Sequence, residues 1–122
     1  MREILLRGKY APSGMWIIGD LRQYPSGAKA IKANDMMHIM EVAPDTIGQF
    51  TGLTDKNGKE IFEGDVVHMR TSGLSGRGEI VFKDGAFVID DKKRKRFYYM
   101  YHDAVYRVEG NIHDNPELME DK

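Results

Sequence analysis

Five consecutive cations, Lys92, Lys93, Arg94, Lys95 and Arg96, lead directly into Phe97, Tyr98, Tyr99 and, after Met100, Tyr101. Cations neutralise phosphates and aromatic faces stack on bases, the two components of nonspecific nucleic-acid binding. Lys92, Lys93, Arg94, Lys95 and Arg96 with Tyr98 and Tyr101 are therefore the candidate nucleic-acid-binding residues. A structural reading competes with this one. A charged hairpin tip beside an aromatic strand guards that strand against edge-to-edge pairing, while Phe97, Tyr99 and Tyr101 fill the core on one face. Asp90, Asp91 and Asp103 flank the patch and dilute its charge.

Catalytic constellations are weaker. Of the four histidines, His38, His68, His102 and His113, two precede an aspartate (His102-Asp103 and His113-Asp114), but neighbours in a strand point to opposite faces and no metal-ligand spacing supports them. The acids near turns, Asp55, Glu60, Glu63, Asp65 and Asp84, could form a general acid and base pair only if the fold brought two of them together. Ser72 and Ser75 lie in "TSGLSGRG", residues 71–78, which lacks the lysine and following helix of a phosphate-binding loop and the strand-to-helix elbow of hydrolases. That stretch reads as a flexible connector. Neither a catalytic residue, a cofactor nor a metal site is expected, and the reading is of a protein that is not an enzyme.

Composition narrows the setting. Across 122 residues, 41% hydrophobic and 30% charged, the balance is that of a folded globular chain rather than a disordered one. A net charge of -1 gives no global field toward nucleic acid or membrane, so such a partner must meet a local patch. Absence of cysteine removes disulfides and thiolate chemistry and fits a reducing compartment. The start "MREILLRGKY" has too short an apolar run for a signal peptide, and nothing approaches the roughly 20 apolar residues of a spanning helix. The expectation is a soluble, cytoplasmic protein without membrane contact.

The elements that must position these residues read mainly as β. Glu3 to Tyr10 and Met15 to Leu21 form a first hairpin around Ala11-Pro12-Ser13-Gly14. The stretch Tyr24 to Glu41 fits neither period cleanly, with a strand at His38 to Val42 preferred over a helical turn. Gln49 to Leu53 is extended, Asp55-Lys56-Asn57-Gly58-Lys59 reverses the chain, and Val66 to Arg70 is a half-buried strand. Asp84-Gly85 between Glu79–Phe82 and Ala86–Ile89 is the strongest hairpin signal. Phe97–Tyr101 and Val105–Ile112 add two strands, and Asn115-Pro116-Glu117 starts a helical turn. Short strands at about ten-residue spacing predict a small barrel or sandwich.

Three segments, "QFTGLTDKNGKEIFEGDVVHM", "GEIVFKDGAFVI" and "VEGNIHDNPELME", resemble the YopX family of phage and prophage proteins, and "MREILLRGKY" looks like a variant of the family's start. The resemblance covers almost the whole chain and is least diagnostic over residues 22–43. It implies an SH3-like barrel over residues 49–122 with a C-terminal helical turn, preceded by a β-rich segment over residues 1–48. It carries over no catalytic residue. Two functions follow as expectations. One is a noncatalytic interaction module that binds another protein or itself through a barrel face or the N-terminal segment, for which Met36, Met37 and Met40 offer an adaptable apolar surface. The alternative is nucleic-acid binding through residues 92–101.

Overall fold

The computed structural model describes residues 4–33 and 38–119. Eleven strands form two antiparallel sheets: β1 (Leu6–Tyr10), β2 (Met15–Gln23), β3 (Lys29–Ala33), β4 (Ile39–Val42), β5 (Gly48–Thr54) and β6 (Glu60–Phe62) in the order β4-β3-β2-β1-β5-β6, and β7 (Asp65–Thr71), β8 (Leu74–Lys83), β9 (Ala86–Asp91), β10 (Arg96–Tyr99) and β11 (Val105–Asn111) in the order β10-β9-β8-β7-β11. Two short 3-10 turns, Pro44–Thr46 and Pro116–Met119, complete the described elements. No helix among the described residues is long and apolar enough to cross a membrane. By packing the chain divides into two compact units, Met1–Phe50 and Thr51–Lys122.

In the first unit, β1 and β2 make the expected hairpin, with Tyr10 opposite Met15. Ile17, Ile31, Ala33 and Val42 form its buried cluster. β3 is a strand that composition conceals, because "KAIKA" contains a single residue with high β-propensity. It forms because β2 and β4 flank it and Ala30, Ile31 and Ala33 are buried there. The expected strand over His38 to Val42 is found as β4, whereas Met36 and Met37 lie outside the described residues.

The second unit is built on Ile61, Val67, Met69, Ile80, Ile89, Tyr98 and Tyr106, all 4% exposed or less. The sheet that supplies most of these is open: β10 and β11 are its two edges and do not pair with each other, so the barrel expected over residues 49–122 is not closed. Asp84 and Gly85 both take positive φ, 52° and 84°, the geometry that a two-residue hairpin requires. Asp55 to Lys59 is likewise a turn, with Gly58 alone taking positive φ.

"TSGLSGRG" is not a loop. β7 runs to Thr71, Ser72-Gly73 turns the chain, and β8 begins at Leu74. Gly76 and Gly78, which imitate a linker, are strand positions where neighbours leave no room for a side chain. A Cβ at Gly76 would lie 2.4 Å from the Tyr98 ring, and one at Gly78 would lie 2.2 Å from the Asp90 carbonyl oxygen. Because that second clash is with backbone, no rotamer relieves it. Gly78→Ala is expected to cost about 3 kcal/mol, the upper end of ordinary overpacking. Gly73→Ala, where space is open and only the left-handed backbone resists a Cβ, should cost about 1 kcal/mol. Urea unfolding of the two variants checks this.

Candidate functional site

β9 ends at Asp91, residues 92–95 form the turn, and β10 returns along β9 with Phe97 opposite Asp90 and Tyr99 opposite Val88. Asp91 anchors the turn from below. Its Oδ1 accepts the Arg94 backbone N–H at 3.1 Å, and its Oδ2 accepts Arg94 Nη1 at 3.2 Å and the Tyr98 hydroxyl at 3.4 Å. Burial works to raise this carboxyl, but the hydrogen bonds and charge of Arg94, with the Tyr98 hydroxyl, hold it below its ordinary value. Lys95 takes φ 55°, which closes the turn and delivers Arg96 into β10.

This register settles which aromatics face the core, and it is the reverse of the structural expectation. Tyr98 is buried at 4% exposure, whereas Phe97 and Tyr99 are 48% and 66% exposed and Tyr101, beyond the strand, is 42% exposed. Tyr98 packs over Gly76 and belongs to the core, so of the two candidate stacking tyrosines only Tyr101 reaches solvent. Phe97 and Tyr99, expected inside, are the outward rings. With four aromatic residues in five there is no alternation from which the inward parity could be read.

The five cations have separate surroundings. Arg94 is committed to Asp91, and Lys92 Nζ lies 3.7 Å from Glu79. Arg96 stands over the Tyr98 ring at 5.1 Å. Lys93 and Lys95 are exposed and form no ion pair among the described residues. A further cation joins them in space, since Lys83 Nζ lies 4.4 Å from the centre of the Phe97 ring. Burial raises the Glu79 carboxyl, and Lys92 pulls it the other way.

The same sheet face carries a second group that the sequence separates by tens of residues. Arg107, His68 and Arg77 stand side by side across β11, β7 and β8, and Val105, Arg70 and Ser75 form the adjacent row. Ser75 Oγ lies 3.1 Å from His68 Nε2. A bulge in β11 between Val108 and Gly110 sets Glu109 apart, and its carboxylate accepts hydrogen bonds from Arg77 Nε and from Arg107 Nη2, the latter at 2.8 Å. Burial acts to raise the Glu109 carboxyl, yet the two guanidinium groups outweigh it and hold it low. No local motif marks these residues, because only the antiparallel register brings them together.

The remaining candidates fall into structural or isolated positions. Asp55 is buried and its carboxylate accepts three backbone N–H groups, from Asn57, Lys59 and Val108. Asp65 accepts the Phe62 N–H at 2.8 Å. Asp84 is a hairpin turn residue, while His38 and His102 are exposed. The backbone N–H groups of His113 and Asp114 both bond the Asn111 side chain in a C-terminal turn. Among the described residues no group of three or more His, Cys, Asp or Glu is placed to hold a metal ion. In the first unit, a groove of about 600 Å³ runs along edge strand β4, lined by Tyr10, Pro12, Ile39, Met40, Val42 and Pro44 among others.

Comparison with known proteins places this architecture. The chain is similar over its whole length to two crystal structures: protein EF1440 from Enterococcus faecalis, with 24% identity, a TM-score of 0.56 and coverage of 98% of this chain and 100% of that one, and protein yopX from Bacillus subtilis, with 20% identity, a TM-score of 0.60 and coverage of 100% and 99%. At those identities the likeness is one of fold. No curated protein matches the chain. The family model of the YopX protein matches residues 16–120, so the chain belongs to the YopX family.

Proposed function

We propose that this protein is a noncatalytic binding module of phage or prophage origin, working in the cytoplasm, and that its partner is nucleic acid held at edge strand β10 and the basic turn before it. The observation that carries the reading is the parity of β10. Phe97 and Tyr99 point away from the core on an edge strand whose preceding turn presents Lys93 and Lys95. If the cations served only to shield an inward-facing aromatic strand, those two rings would be buried. Exposed rings beside exposed cations supply both stacking and phosphate neutralisation. Tyr101 extends the row, whereas Tyr98 contributes from beneath by fixing the turn through Asp91.

Fluorescence polarisation with labelled oligonucleotides tests this. Binding is expected to weaken with salt, and the double variant Lys93→Ala, Lys95→Ala should lower the slope of log affinity against log salt by roughly 0.7 for each phosphate no longer neutralised. A protein that binds neither single strands nor duplexes at low salt would overturn the reading.

A second reading is carried by the other sheet. β4 is an edge with exposed Ile39 and the apolar groove beside it, a surface on which a protein segment or a second copy of the chain could add a strand. Light scattering across a concentration series separates the self-associating form of this reading from a monomer.

A further inference from the structure

We infer that the bound nucleic acid is single-stranded and crosses the full width of the five-stranded sheet, from Phe97 and Tyr99 on β10 to Arg70 on β7 and Arg107 on β11, with Glu109 occupying two of the phosphate-binding guanidinium groups in the free protein. This rests on the reading of β10 above and extends it to residues that the basic stretch does not contain.

Charge distribution supports the path. Residues 70–107 hold nine of the eighteen lysines and arginines but five of the nineteen acids, so a chain of net charge -1 concentrates its cations on this one sheet and its turns. In antiparallel pairing, residues directly opposite share a face. The row Arg107, His68, Arg77 is therefore next to the row Val66, Glu79, Asp90, Phe97, so the cations and the outward rings stand on one face of the sheet, with Val66 fully buried on that face and the half-buried carboxylates of Glu79 and Asp90 between the two groups. Four interstrand gaps of about 4.8 Å make the route from β11 to β10 about 19 Å long. Arg70 is exposed, stands between Val105 and Ser75, and forms no ion pair among the described residues.

The rings set the strandedness. A duplex offers its phosphates but keeps its base faces stacked on one another, so Phe97 and Tyr99 add affinity only where bases are unpaired. Glu109 sets the threshold. Its carboxylate bonds Arg77 and Arg107, and a backbone phosphate must displace it or share those donors.

The test uses the whole protein with a labelled oligothymidine of about 12 nucleotides, inside the usual site size of roughly 4–16, and a duplex of equal length. The wild type should prefer the single strand. Phe97→Ala with Tyr99→Ala should weaken single-strand binding about 10-fold or more and leave duplex binding nearly unchanged. Arg70→Gln with Arg107→Gln should lower the salt slope by roughly 1.4, two phosphates at about 0.7 each. Glu109→Gln should bind more tightly than wild type, a gain that damaged folding does not produce. Were the single strand bound with the Arg70 and Arg107 variant unaltered in affinity and slope, the extended path would be wrong while the β10 reading stood. Equal affinity for duplex and single strand would overturn the strandedness. No binding to either probe would remove both this inference and the reading beneath it.

Discussion

Tyr98→Ala lowers the unfolding free energy by about 3–5 kcal/mol, the cost of emptying a buried aromatic site, while Tyr99→Ala one residue away changes it by about 0.5 kcal/mol or less. The contrast follows from their exposures, 4% and 66%. Tyr98 is opposite Ile89, covers Gly76 and shares the core with Met69 and Ile80, so its removal leaves a cavity that the glycine cannot fill. Its hydroxyl also donates to Asp91, which then loses one of the groups stabilising its charge. Tyr98→Phe keeps the ring and forfeits that bond alone, about 1 kcal/mol. On the proposed function, nucleic-acid binding sorts the positions in the opposite order: Tyr99→Ala removes a stacking ring and weakens binding, whereas Tyr98→Phe keeps its ring in the core and loses only the support its hydroxyl gives the basic turn through Asp91. Equal stability losses for Tyr98→Ala and Tyr99→Ala in chemical unfolding would show that the inward parity of β10 is misassigned.

Asp55→Ala is the second large effect, about 3 kcal/mol, because alanine leaves three N–H groups short of an acceptor and each such group costs about 1–3 kcal/mol when fully buried. The carboxylate serves Asn57 and Lys59 with Oδ1, both at 2.9 Å, and Val108 with Oδ2 at 3.2 Å. Burial works to raise the Asp55 carboxyl, but the N–H groups of Lys59, Val108 and Asn57 and the charge of Lys59 prevail, so it titrates below its ordinary 3.8. A carboxyl whose folded value is depressed contributes stability that is complete above the unfolded value and is lost as pH falls through the folded one. Asp91 and Glu109 are depressed as well and act in the same direction, whereas Glu79 is raised and opposes them. Unfolding measured from pH 7 downward should therefore show stability declining below about pH 5, with a shallower decline in Asp55→Asn. An identical decline in that variant would remove Asp55 from the cause.

What the chain declares locally, it declares well. Asp84-Gly85 between two β-rich runs names its hairpin, and the polar residues from Asp55 to Lys59 name theirs, because turn geometry depends on side chains within a few positions. Parity and close approach depend on partners elsewhere. Tyr98 turns inward because Ile89 and Gly76 are placed to receive it, and nothing in "RFYYMY" records that. Gly76 and Gly78 look like linker residues until the Tyr98 ring and the Asp90 carbonyl are seen against them. Arg70, Arg77, Arg107 and Glu109 are scattered over about forty positions, so a surface made of them is invisible before the register is known. The barrel failed for a similar reason, since strand spacing leaves open whether the two outer strands meet.

The bond from Val108 to Asp55 spans 53 positions. A chain made from its N-terminus forms the Asp55 turn early, with two of the carboxylate's three donors already present, and must then wait while β7 to β10 are synthesised before the third arrives. Folding of the second unit therefore completes only on delivery of its last strand. Until β11 emerges, the β7 edge that it will cover, with buried Val67 and Met69, is open to wrong partners. The Asp55 turn is thus complete only once the last strand of the sheet has reached it.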